Sequence, residues 1–88
     1  MKIGYRKKFL KELSKIPLPH RTNIEKFVFE DLPNLKSISD AERIEKMKGY
    51  RVYYKVRFGV YRVGIKYIDD NLTVERVLHR KEIYKYFP

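Results

Sequence analysis

Residues 50–58 read Tyr50-Arg51-Val52-Tyr53-Tyr54-Lys55-Val56-Arg57-Phe58, and residues 60–68 read Val60-Tyr61-Arg62-Val63-Gly64-Ile65-Lys66-Tyr67-Ile68. In the first stretch the even positions are Tyr50, Val52, Tyr54, Val56 and Phe58, while the odd ones are Arg51, Tyr53, Lys55 and Arg57. Strict alternation of this kind marks a β-strand with one face in a core. The second stretch places Tyr61, Val63, Ile65 and Tyr67 on one face, with Arg62 and Lys66 on the other and Gly64 between them. Gly59 supplies the turn that joins the two. Asp69-Asp70-Asn71 is a turn by composition, and Leu72–Leu78 reads as a third strand with less regular alternation. Three strands with short turns predict an antiparallel meander, with Tyr50, Tyr54, Tyr61 and Tyr67 on its core face.

The first half of the chain has a different period. Phe9, Leu13 and Ile16 recur at spacings of four and three, with Leu10 beside them, and predict a helix over 5–16. Ile24, Phe27, Val28 and Leu32 mark the apolar stripe of a second helix over 19–31. Pro17 and Pro19 suit a break followed by a helix start. Two helices with so short a link are expected to form an antiparallel hairpin. Residues 33–49 read mostly as loop, and a strand before the helices would be very short, at Lys2–Gly4. Ile83 and Phe87, four residues apart, fit a short final helix. The expected architecture is α+β: an N-terminal helix hairpin packed on an antiparallel sheet of three to four strands, with a short C-terminal helix. All of residues 1–88 are expected to form one domain, since a chain of 88 residues buries only about 60–65% of its unfolded surface.

Composition narrows the chemistry. There is no cysteine, so disulfides and thiolate metal sites are excluded and a reducing cytoplasm is the default location. The two histidines, His20 and His79, lie far apart and lack carboxylates at ligand spacing, so no metal site and no cofactor are expected. The opening run MKIGYRKKFLKELSKI carries charges every two or three residues and reads neither as a signal peptide nor as a membrane span. Lys and Arg number 21 against 11 Asp and Glu, a net charge of +10. A field of that sign attracts polyanions, whether RNA, DNA, an acidic membrane surface or an acidic protein.

The distribution of that charge matters more than its size. From Lys46 through Ile68 there is no acidic residue, while Lys46, Lys48, Arg51, Lys55, Arg57, Arg62 and Lys66 all fall in the interval. The alternation sorts Arg51, Tyr53, Lys55 and Arg57 onto one face of the first strand and Arg62 and Lys66 onto the same face of its neighbour. Pairing across Gly59 sets opposed side chains roughly 5 Å apart. A charge run is ordinarily a solvated sheet face, but such a face mixes both signs to limit repulsion. A row of cations without carboxylates becomes favourable with an anion between them, and a phosphodiester meets the donor fork of Arg and the point charge of Lys. Tyr53, on the basic face, is placed to stack on a base.

Three segments in order carry a family resemblance: Lys48-Gly49-Tyr50-Arg51-Val52; then Arg57-Phe58-Gly59-Val60-Tyr61-Arg62-Val63; then Val77-Leu78-His79-Arg80 with Tyr84 four residues later. They resemble the RelE/ParE toxin superfamily, which shows a loop ending in Leu-x-Gly or similar, a strand, a Gly-x-Tyr-Arg turn, another strand and a closing His-Arg-x-x-x-Tyr. The motifs cover about half of the chain, and the order of elements covers all of it. The resemblance implies an mRNA interferase of a type II toxin–antitoxin pair, which cleaves mRNA in the ribosomal A site with the substrate's own 2′-hydroxyl as nucleophile, needs no metal and leaves a 2′,3′-cyclic phosphate.

It also implies roles. Arg62 matches the arginine that stabilises charge building on the phosphate, and Lys55 and Arg57 match the basic positions of the preceding strand. Arg80 matches the basic residue of the closing segment, and Tyr84 the tail tyrosine that stacks on a base or transfers a proton. His79 is a candidate general acid or base, since imidazole titrates near neutral pH; a capping or packing role at a strand end is the alternative. Lys46, Lys48, Arg51, Tyr53, Lys66 and Lys81 are expected to hold RNA. Where some members carry a lysine two residues before the Lys55 position, this chain has Tyr53, so a lysine, a tyrosine and His79 all stay open as the base. The implied partners are a cognate acidic RelB-like antitoxin that folds as it wraps the toxin, the ribosome and mRNA; the helix hairpin and tail are the expected docking surfaces, operator DNA is met only through the antitoxin, and no membrane is involved. Two rival readings keep the same basic face: a ParE-like toxin directed at DNA gyrase, and a non-catalytic RNA-binding module.

Overall fold

The structure, a computed structural model, describes Met1–Pro88. Its centre is a five-stranded sheet with spatial order β1-β5-β4-β3-β2. The strands are β1 (Lys2–Tyr5), β2 (Ile44–Lys46), β3 (Tyr53–Phe58), β4 (Tyr61–Ile68) and β5 (Asn71–His79). Helices α1 (Lys7–Leu13) and α2 (His20–Lys26) pack on one face, and α3 (Ile83–Tyr86) ends the fold. Beyond α2 the chain continues as a π-helical turn at Phe27–Asp31 and a 3₁₀ turn at Leu32–Asn34.

This overturns the expected helix hairpin on an antiparallel sheet of three to four strands. The sheet has five strands and is mixed, because β1 pairs with β5 in parallel, Lys2 opposite Asn71 and Tyr5 opposite Val74. The chain therefore enters the sheet before it turns helical. At the other edge β2 forms inside the stretch read as loop and pairs antiparallel with β3, Ile44 opposite Val56. Each helix has its main strand contact on the sheet, α1 against β5 and α2 against β3. β1 lies where a very short strand is expected, at Lys2–Gly4, but its parallel pairing with β5, like the whole of β2, depends on distant partners and leaves no local periodicity to read.

The central hairpin follows the alternation. Arg57 faces Arg62 and Phe58 faces Tyr61 across Gly59, whose φ of +59° is the left-handed geometry glycine adopts without cost. However, β3 begins at Tyr53, not Tyr50, since Gly49 turns at φ +87° and lifts Tyr50 out of the ladder. Tyr50 is thus 46% exposed and no core residue, whereas Tyr54, Tyr61 and Tyr67 pack against the core. The irregular pattern of β5 has a physical cause: a bulge sets Gly64 opposite Arg76 but Ile65 opposite Val74, so one extra residue interrupts the two-residue period.

The main core gathers Phe9, Leu13, Ile24, Phe27, Val28 and Leu32 from the helical side against Val56, Val63, Ile65, Leu72, Val74 and Val77 of the sheet. Tyr5 Oη donates to the Val28 carbonyl at 2.5 Å, tying β1 to the helical layer, and burial pushes its phenol up from the usual range. Past Tyr5, β5 loses its strand neighbour and a side chain replaces it. Glu12 of α1 accepts the Val77 backbone N–H at 3.1 Å and binds Arg76, with Nη2 to Oε2 at 2.6 Å. The hydrogen bonds it donates to the Glu12 carboxylate hold the Arg76 guanidinium above its ordinary pKa.

Candidate nucleic-acid interface

The opposite face of the sheet is built from the residues that alternate with the core. Register places Tyr53 beside Lys66, Lys55 beside Gly64 and Arg57 beside Arg62, all turned away from the helices. The basic strand pair expected from the sequence therefore exists as one surface. Arg62 Nη1 donates to the Gly59 and Tyr61 carbonyls at 2.8 and 2.9 Å, which fixes the guanidinium against the turn and leaves its other nitrogens without a protein acceptor. Arginine carries five N–H donors in a rigid fork, so the free edge of such a group can still take a phosphate oxygen.

The C-terminal tail folds back across this surface. Ile83 and Phe87 are buried with Met47 in a small second cluster, joined by Tyr53 and Leu78. The Phe87 ring lies on Gly64 so closely that a Cβ there would come within 2.7 Å of it. Docked in this way, α3 brings Tyr84 over β3. Lys55 Nζ donates to Tyr84 Oη at 2.5 Å and lies 5.1 Å from the centre of its ring. Tyr84 remains 60% exposed, so the pair is open to a ligand from solvent.

Some expected members lie elsewhere. His79 is paired with Tyr61, on the helical face, where Tyr61 sits edge-on between His20 and His79 at centroid distances of 5.3 and 6.0 Å. Its Nδ1 accepts the Lys81 backbone N–H at 3.1 Å, so the capping alternative describes its geometry and it does not join Lys55 and Arg62. Lys46 is opposite Tyr54 and therefore also faces the helical side at the sheet edge. Arg80 and Lys81 are exposed just after β5, with the Arg80 backbone N–H bonded to the Val60 carbonyl at 2.7 Å. Lys48 and Arg51 are exposed on the loop before β3.

Two features of the surface were not foreseen. Glu45, immediately before the acid-free interval, sits opposite Lys55, and its carboxylate is 3.7 Å from Arg57 Nε. Both side chains are largely exposed, so the pair is weak and leaves most of the positive field in place. The reading missed it because β2 was not anticipated. The second feature is the tail anchor of Met47, Ile83 and Phe87; Gly64, a lone glycine among large residues in a strand, was the signal that another group approaches the backbone there.

Residues 3–84 match the family model described as ParE toxin of the type II toxin–antitoxin system parDE. A curated relative, Toxin RelE3 of Methanocaldococcus jannaschii, is 44% identical over 89 residues, spanning all of both chains. This chain belongs to the RelE/ParE toxin superfamily. It is a toxin of the type II toxin–antitoxin kind. The RelE fold is shared with the RelB–RelE antitoxin–toxin complex of Methanococcus jannaschii at a TM-score of 0.78 and 42% identity, covering 97% of this chain and 99% of that one. The isolated RelE toxin of Escherichia coli matches at 0.66 with 23% identity, covering 96% of this chain and 90% of that one, a likeness of fold alone. No helix of this toxin is long and apolar enough to cross a membrane.

Proposed function

We propose that this toxin is a metal-independent, ribosome-dependent endoribonuclease that cleaves mRNA in the A site. The observation that carries the reading is the Lys55–Tyr84 hydrogen bond set over a strand pair that also presents Arg57, Arg62 and Lys66. In the reaction, the 2′-oxygen attacks the adjacent phosphorus, its proton passes to a base, and the bond from phosphorus to the 5′-oxygen breaks. That oxygen takes up a proton, leaving a 2′,3′-cyclic phosphate and a 5′-hydroxyl. The task a metal performs in other nucleases, neutralising phosphate oxygens, falls to guanidinium and ammonium groups, each contributing a few kcal/mol in a preorganised site. Lys55 and Tyr84 share one hydrogen bond and are the proton-transfer pair; Arg62 carries the phosphate. The ribosome supplies the alignment of the substrate.

The partner is an acidic RelB-like antitoxin, matched in sign to the net charge of +10; relatives of this fold are known as RelB–RelE complexes. Operator DNA is met through that antitoxin, and the site of action is the cytoplasm. The family model carries the name of the gyrase-directed ParE branch, but the full-length 44% relative is a RelE toxin. The test incubates the toxin with programmed ribosomes in EDTA and maps the mRNA ends. Cyclic-phosphate ends at an A-site codon are expected, and Lys55→Met should slow cleavage by about 10²- to 10³-fold. Intact mRNA, or an Arg62→Ala variant that keeps full toxicity while inhibiting gyrase supercoiling, refutes the nuclease.

A further inference from the structure

An aromatic row crosses the basic face and runs off its edge. Phe87, seated on Gly64, meets Tyr53 edge-on at 5.4 Å, and Tyr53 meets Tyr50 edge-on at 5.7 Å. The first two rings belong to the buried second cluster or pack against it. The third does not: Tyr50 is 46% exposed. The loop beneath it is built, not loose. Met47 is buried as its anchor, the Met47 N–H bonds to the Tyr53 carbonyl at 2.9 Å, and the Tyr50 N–H bonds to the Met47 carbonyl at 3.2 Å. Gly49, with nothing within 4 Å of the place its Cβ would take, turns the loop at φ +87°. Lys48 and Arg51, both exposed and without a carboxylate partner, flank the ring in sequence.

A rigid exposed aromatic ring costs little entropy to bury and offers a π-face to any base, while cations on either side hold the sugar–phosphate chain. Tyr53, the residue the alternation nominates for stacking, already has two aromatic neighbours, Phe87 and Tyr50. We propose that Tyr50 is the nucleobase-stacking platform of this face, taking an unpaired base of single-stranded RNA that lies a short stretch along the strand from the phosphate held at Lys55 and Arg62. Its place in an mRNA substrate rests on the nuclease reading. The subsite selects for an unstacked base, since every base has a π-face, and so favours single strands over duplex.

The test measures binding of short single-stranded RNA, 2′-O-methylated throughout so that it cannot be cleaved, with an abasic nucleotide walked through each position. The wild-type protein should lose about five- to tenfold in affinity at one position. Tyr50→Ala should lose the same factor on intact RNA and nothing further when that position is abasic, while Tyr50→Phe binds within about twofold of wild type. Thermal melting checks that each variant is folded. Tyr50→Ala binding like wild type, or losing affinity equally on every abasic RNA, overturns the proposal. So does a variant that keeps RNA binding but loses an acidic antitoxin peptide, which reassigns the ring to a protein partner. Cleavage on programmed ribosomes is scored separately: its failure sinks the nuclease, whereas failure of the abasic pattern sinks only the platform.

Discussion

The two faces of one sheet share the same strands and behave as different materials. On the helical side Val56, Val63, Ile65 and Val74 are fully buried in a continuous core fed by both major helices. On the other side β3 and β4 present Lys55, Arg57, Arg62 and Lys66, and the apolar cover is the small cluster of Met47, Ile83 and Phe87 with Tyr53 and Leu78 against it. A small domain has few elements to spend, and stability is concentrated on one face so that the other can hold several cations together with Glu45 as a weak, exposed counter-charge. The lesson is that a cluster of like charges is affordable where the backbone carrying it is already fixed from behind.

That division can be broken from either side. Phe9→Ala removes a fully buried ring from the helical face and should cost about 3–5 kcal/mol in a denaturant titration; a smaller loss means that the core is looser than its burial indicates. Gly64→Ala acts on the basic face. A methyl group there meets the Phe87 ring, so the tail should lift, with about 1–3 kcal/mol lost and faster amide exchange at Ile83–Phe87 than in the core strands. Tail exchange unchanged from wild type would separate Phe87 from the docking of α3. Glu45→Gln deletes the one carboxylate that reaches Arg57. Stability should shift by less than about 1 kcal/mol, while RNA affinity at low salt rises a few-fold; a fall in affinity would show that Glu45 orients Arg57 more than it neutralises it.

Much of this was legible because it was local. The β3–β4 hairpin followed from period-two alternation and one glycine, and the stripe of Ile24, Phe27, Val28 and Leu32 is buried as its spacing predicts. Lys55, Arg57, Arg62 and Lys66 came to one face for the same reason. What stayed hidden was non-local. β1 takes its identity from a partner about seventy residues away, β2 is only Ile44–Lys46, and the mixed five-stranded sheet could not be read from either. The bulge at Gly64/Ile65 disguised the pattern of β5. In the site, Tyr84 was marked by the closing motif, but its seat on Lys55 depends on Phe87 finding Gly64 across the sheet. His79, the first residue of the closing motif, lies on the other side because strand residues alternate, and it pairs with Tyr61.

The tail anchor also sets an order of assembly. The β3–β4–β5 meander joins neighbours in the chain and closes short loops, which form early, whereas the β1–β5 pairing must close nearly the whole length. Tyr84 and Phe87 follow every strand, so during synthesis they leave the ribosome after the sheet they cover. A chain interrupted before residue 84 has its cations in a row but no tyrosine against Lys55.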